Sequence, residues 1–94
     1  MNTKEYNGWT NYETWLAALW IGNEPYLDET VKEICAREFE YGIDRDDAVK
    51  EFMSDLVYEG VPEAGLASDF LGAALSEVDW REIVDHYVED LETA

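Results

Sequence analysis

Nearly all the side chains here that could do chemistry are carboxylates, and their spacing decides which chemistry. Asp44, Asp46 and Asp47 begin like a calcium-binding loop, but such a loop needs glycine at its sixth position, where this chain has Val49. Their expected role is instead a cap cluster at a helix start. Glu82, His86 and Glu89 fall at i, i+4 and i+7, one face of a helix, a spacing that can offer ligands to a metal. One imidazole on one helix lacks the further ligands that close a site, so no metal is expected. Cys35 is the single cysteine. A nucleophilic thiolate needs an activating base and cationic surroundings; neither is evident, and a small buried apolar role is expected. The chain shows no glycine-rich phosphate loop, no Ser-His-Asp set and no zinc spacing, and no carboxylate pair stands out for acid–base work. A non-enzymatic protein without a cofactor is expected.

Together, the acids have a second use, which is electrostatic. The chain has 94 residues, with 23 Asp and Glu against six Lys and Arg, a formal net charge of −17. That balance repels nucleic acid and anionic membranes. Residues 1–23 carry one base and two acids, whereas residues 76–94 carry seven acids against Arg81. A globule of this length is roughly 30–35 Å across, which puts about one net charge on every 2 Å of axis. Duplex DNA carries one per about 1.7 Å. The acidic surface therefore admits three readings: a solvating face, adaptation to high salt, or mimicry of phosphates toward a basic nucleic-acid groove. The candidate contacts for mimicry are Asp44, Asp46, Asp47, Glu51 and Asp55, then Asp85, Glu89, Asp90 and Glu92.

These residues need a scaffold, and composition supplies one. With 47% hydrophobic residues, four Trp, six Tyr and three Phe, the chain is too apolar for a disordered acidic tail. Residues 1–9 read as an extended lead-in, with Tyr6 and Trp9 stapling the first helix and Asn7 and Asn11 serving turns and caps. Thr10 and Glu13 make a capping box, and Tyr12, Trp15, Leu16, Leu19 and Trp20 form one apolar face of a helix over about 11–21. Gly22 and Asn23 are expected to stop it. Pro25 starts a second helix, with Leu27, Val31, Ile34, Cys35 and Phe39 inward and Tyr41 with Gly42 closing it. Asp44 with Asp47 caps a third, carrying Val49, Phe52, Met53, Leu56 and Val57 and ended by Gly60 and Pro62. Leu66, Phe70, Leu71, Ala74 and Leu75 mark a shorter fourth helix. Asp79 with Glu82 caps a fifth, with Trp80, Ile83, Val84, Tyr87, Val88 and Leu91 inward. The only strand candidate, residues 57–61, reads better as a helix end. The expected fold is all-α, a single domain of four or five short helices around one core. No stretch has the length of a membrane span or the look of a signal peptide, and the lone cysteine fits a reducing, cytoplasmic setting.

Two stretches carry a resemblance. Tyr6–Glu24, YNGWTNYETWLAALWIGNE, resembles the opening of a family of short uncharacterised proteins from phages, plasmids and their hosts. Ser68–Asp85, SDFLGAALSEVDWREIVD, resembles its closing part, and together they span 37 of the 94 residues. The resemblance implies a mobile-element origin and a small helical fold, and brings no activity or catalytic residue. In character, though not in motif, the chain is also similar to acidic anti-restriction and anti-CRISPR inhibitors that mimic DNA. The reading is an inhibitor of a host defence system that binds the basic surface of a DNA- or RNA-handling partner, a restriction enzyme or CRISPR effector. The alternative is a protein–protein adaptor that uses the near-neutral, Trp-bearing first helix, with a homodimer as one form and the acids as solvating surface. A salt-adapted housekeeping domain stands third.

Overall fold

A computed structural model describes residues 6–62 and 64–93; of the lead-in, residues 1–5 lie outside the described residues. Five helices follow in order: α1 (Tyr12–Asn23), α2 (Pro25–Ala36), α3 (Gly42–Tyr58), α4 (Leu66–Glu77) and α5 (Trp80–Thr93). Among the described residues the one β feature is an isolated bridge between Tyr6 and Trp9. It closes an Asn7-Gly8 turn with φ of 51° and 95°, the left-handed pair that such a tight turn needs and that Asn-Gly adopts readily.

The caps differ in part from the sequence expectation. Asn11, not Thr10, caps α1: its side chain accepts the Thr14 N–H at 2.9 Å, and a short carboxamide is at least as good a cap as threonine. Gly22 and Asn23 stay helical, and the chain leaves α1 at Glu24, one residue before Pro25 at the start of α2. Helix α2 ends at Ala36, well before Tyr41 and Gly42. Arg37 turns the backbone extended (ψ 153°), and Phe39 packs on the core from outside the helix. Gly42 opens α3 rather than closing α2, so Asp44 is a first-turn acid and not a cap. Its N–H is taken by the Tyr41 carbonyl at 3.1 Å, and its charge still favours the positive helix end. Asp79 does cap α5, its Oδ1 accepting the Glu82 N–H at 3.1 Å.

The core consists of Ile21, Leu27, Val31, Ile34, Cys35, Val49, Met53, Trp80, Ile83, Val84 and Tyr87. Helices α2, α3 and α5 pack on one another, α1 lies on α2 and reaches α5, and α4 leans against α1 and α3. The expected apolar face of α1 is not what packs. Thr14 and Ile21 are fully buried, with Ala17 and Ala18 against the core, while Tyr12, Leu19 and Trp20 are 46%, 40% and 59% exposed. Small side chains let helix axes approach closely, so the Thr-Ala-Ala-Ile face goes inward and the bulky one is left outside. Helix α4 buries none of its residues. Leu66 and Phe70, expected in the core, are 74% and 67% exposed.

Candidate functional site

Two surfaces stand out, one acidic and one apolar. On α3, Asp44, Asp47, Glu51 and Asp55 follow one another at three- and four-residue steps, so they share a stripe, and all four are exposed. The buried positions Val49 and Met53 lie on the opposite side. On α5, Asp85, Glu89 and Glu92 form a second exposed stripe, opposite the core residues Ile83, Val84 and Tyr87. Asp90 is exposed but sits off that stripe, with one carboxylate oxygen 3.9 Å from His86 Nε2.

Asp46 behaves differently from the other predicted contacts. It faces the seam between α3 and α5, where Arg81 Nε approaches its Oδ2 at 3.3 Å and its side chain is only 14% exposed. Burial pushes its carboxyl above the ordinary range. The Arg81 charge opposes this, while the charges of Asp85 and Asp47 add to it. Asp46 therefore lies near both Asp47 and Asp85 at this seam. Asp46 is a structural partner of Arg81, not part of the outward display. Behind the same layer, Tyr87 donates its hydroxyl to Asp28 Oδ1 at 2.7 Å and Lys32 reaches Asp28 Oδ2 at 2.8 Å. These two bonds, that from Lys32 first, hold the Asp28 carboxyl below its usual range.

Glu82, His86 and Glu89 line a cleft of about 370 Å³ together with Asp85 and the Asn7–Trp9 turn, where the Trp9 ring meets His86 edge-on at 5.5 Å. Among the described residues no group of three His, Cys, Asp or Glu is arranged to hold a metal. Cys35 is buried, and burial pushes its thiol up to about 11, which leaves almost no thiolate near neutrality.

The second surface begins with a polar clasp. Asn11 Nδ2 donates to the Glu77 carbonyl at 2.7 Å, the Asp79 N–H to Thr14 Oγ1 at 2.8 Å, and the Thr10 N–H to Glu82 Oε1 at 3.1 Å. Thr10, Asn11 and Thr14 belong to the first of the two resembling stretches, and Glu77, Asp79 and Glu82 to the second. The polar residues of both stretches therefore tie the start of α1 to the α4–α5 turn. Their geometry is that of a fastening, which sequence spacing could not reveal because the bonded residues are 65–72 positions apart. The clasp holds α1 beside α4 and frames an apolar groove of about 200 Å³. Leu16, Ala17 and Trp20 line it from α1, Met53 and Val57 from α3, and Leu71, Ala74 and Leu75 from α4. The sequence reading placed all of these except Ala17 in the core, and Met53 is indeed buried there. The available clue was that α1 is apolar on more than one face, more than one side of a helix in a chain this short can bury.

Fold and surfaces together define a small acidic five-helix domain with carboxylates on one side and an apolar groove on another. The chain belongs to DUF7249, a family of unknown function, whose profile matches residues 2–92. No curated protein and no solved structure matches it. Among the described residues no helix is long and apolar enough to cross a membrane.

Proposed function

We propose that this chain is an inhibitor of a host defence system, of anti-restriction or anti-CRISPR type. It docks the α3–α5 carboxylates into the Lys/Arg channel through which its target holds nucleic acid. The supporting observation is the pair of exposed stripes, Asp44, Asp47, Glu51, Asp55 and Asp85, Glu89, Glu92, on helices that pack side by side. Steps of three to four residues place one carboxylate about every 5.5 Å along each helix. Duplex DNA presents one phosphate per about 1.7 Å over its two strands. Each row thus carries about 60% of the charge density of a single DNA strand, which has one phosphate per about 3.4 Å, enough to neutralise a phosphate-binding channel in part. Rigid helices fix these charges in place, so binding orders fewer side chains than a flexible acidic tail would. Reversing Asp44, Asp47, Glu51 and Asp55 to Lys together is the test. It should abolish binding to the target and flatten its salt dependence, while single reversals do little because exposed pairs are worth about 0–1 kcal/mol each. An unchanged affinity in the quadruple variant refutes the reading.

The exposed side chains Trp20, Leu66 and Phe70 favour a second reading, an adaptor that binds through the apolar side of α1 and α4 and leaves the acids as solvating surface. Salt separates the two, since an apolar interface survives about 0.5 M salt and a phosphate-mimicking one does not.

A further inference from the structure

The groove between α1 and α4 has no occupant from the described part of the chain, and its chemistry restricts what fits. Its walls are apolar apart from Glu13, and its volume is about 200 Å³. Pockets that enclose small molecules run to roughly 300–1,000 Å³, so an occupant would lie along this one rather than inside it. The α1 wall runs Glu13, Leu16, Ala17, Trp20, at i, i+3, i+4 and i+7 along the helix. On α4, Leu71, Ala74 and Leu75 line the facing wall at three- and four-residue steps, with Val78 just beyond the helix end. An apolar trough with a helical wall on either side suits the i, i+3, i+4, i+7 anchors of an amphipathic helix.

Charge decides between occupants. Helices α1 and α4 carry Glu13, Asp69 and Glu77 and no Lys or Arg, and the whole chain is at −17. A second copy would bring the same acids to the same edges against its own −17, with no base on either helix to pair them. A helix with lysine or arginine beside its apolar face is attracted at long range and finds Glu13 at the rim. We infer that the groove receives a short amphipathic helix, apolar on the docked side and basic on its flanks, from a partner protein. This deepens the adaptor reading and does not depend on the α3–α5 face.

The probes are a leucine-faced helical peptide of about fourteen residues, four turns, flanked by lysines, its glutamate-flanked counterpart, and a scrambled lysine peptide of equal charge. Binding is read by calorimetry, with the protein's tryptophan fluorescence as a second signal. Two variants at exposed positions, Trp20→Ala and Ala74→Asp, keep the buried core intact, and circular dichroism verifies their folding. The lysine-flanked peptide should bind the native chain and lose at least about tenfold in affinity in both variants. The scrambled peptide should bind weakly and the glutamate peptide not at all. Ala74→Asp makes the protein more acidic, so binding that strengthens in that variant would be charge alone and would overturn the inference. Equal binding of the glutamate peptide overturns the basic partner but leaves the adaptor reading. Absence of binding by all three peptides, or self-association that Trp20→Ala abolishes, overturns the helix occupant.

Discussion

Thr14→Val removes one oxygen at the centre of the clasp and almost nothing else. Thr14 is fully buried, and its Oγ1 is the acceptor for the Asp79 N–H at 2.8 Å. Valine keeps the β-branched shape and helix compatibility but leaves that N–H facing a methyl group. Losing the partner of a buried donor costs about 1–3 kcal/mol, and because this bond is only partly buried the lower half of that range applies, about 1–2 kcal/mol. For a domain of this size, that lowers Tm by about 4–16 °C. Thermal and urea unfolding followed by far-ultraviolet circular dichroism give the stability, and amide exchange by NMR gives the location. The Asp79 amide should exchange faster in Thr14→Val and keep its protection in Thr14→Ser, which retains the oxygen and loses only a methyl. A Thr14→Val protein as stable as the native one, with Asp79 still protected, would show that the clasp fastens nothing.

Four further predictions rest on charge and burial. Asp46→Asn should leave stability at neutral pH unchanged or raise it, because burial and the charges of Asp85 and Asp47 oppose the ionised form and Arg81 is exposed enough to hydrate alone; urea midpoints of the two proteins decide this. Stability should fall on the alkaline side from about pH 9 upward, since the Cys35 thiol is raised from 9.0 to about 11 and burial also raises the Tyr87 phenol. A raised folded-state value contributes stability below the unfolded value that is lost as pH climbs through the folded one. The same burial makes Cys35 slow toward thiol reagents in native protein and fast in urea, and equal rates would contradict its placement. Charge reversal of Asp44, Asp47, Glu51 and Asp55 should raise Tm at low salt, through relief of repulsion, and the gain should shrink as salt is added.

Much of the helical order was legible in the sequence because it rests on local chemistry. Pro25 at a helix start, the Asp79–Glu82 cap and the recurrence of Val31, Ile34 and Cys35 each announce their own element. The carboxylate stripes were legible for the same reason, since i, i+3 and i+4 steps fix a face wherever the helix lies. The choice of the buried face of α1 was not. Its aromatic side and its Thr-Ala-Ala-Ile side are both plausible inner faces, and close approach to α2 and α5 selects the smaller. Nor could α4 be read correctly, because Leu66 and Phe70 have the spacing of a core stripe yet among the described residues no element packs over them. The clasp escaped altogether: Thr10 and Asn11 read as local capping residues, Thr14 carried no signal of its own, and the partners Glu82, Glu77 and Asp79 are supplied by tertiary packing alone. Asp46 shows the converse, an acid that counts toward the surface charge and is spent on Arg81 at a helix seam.

Competition with DNA decides whether the α3 and α5 carboxylates engage a basic nucleic-acid channel. The most direct measurement is capture from host lysate by the tagged protein and by its Asp44, Asp47, Glu51, Asp55 charge-reversed variant, each eluted with duplex DNA and read by mass spectrometry. Phosphate mimicry calls for a DNA- or RNA-processing complex that the native protein retains, that DNA displaces, that about 0.5 M salt releases, and that the variant fails to bind. A partner held equally by both proteins and indifferent to DNA would contradict it.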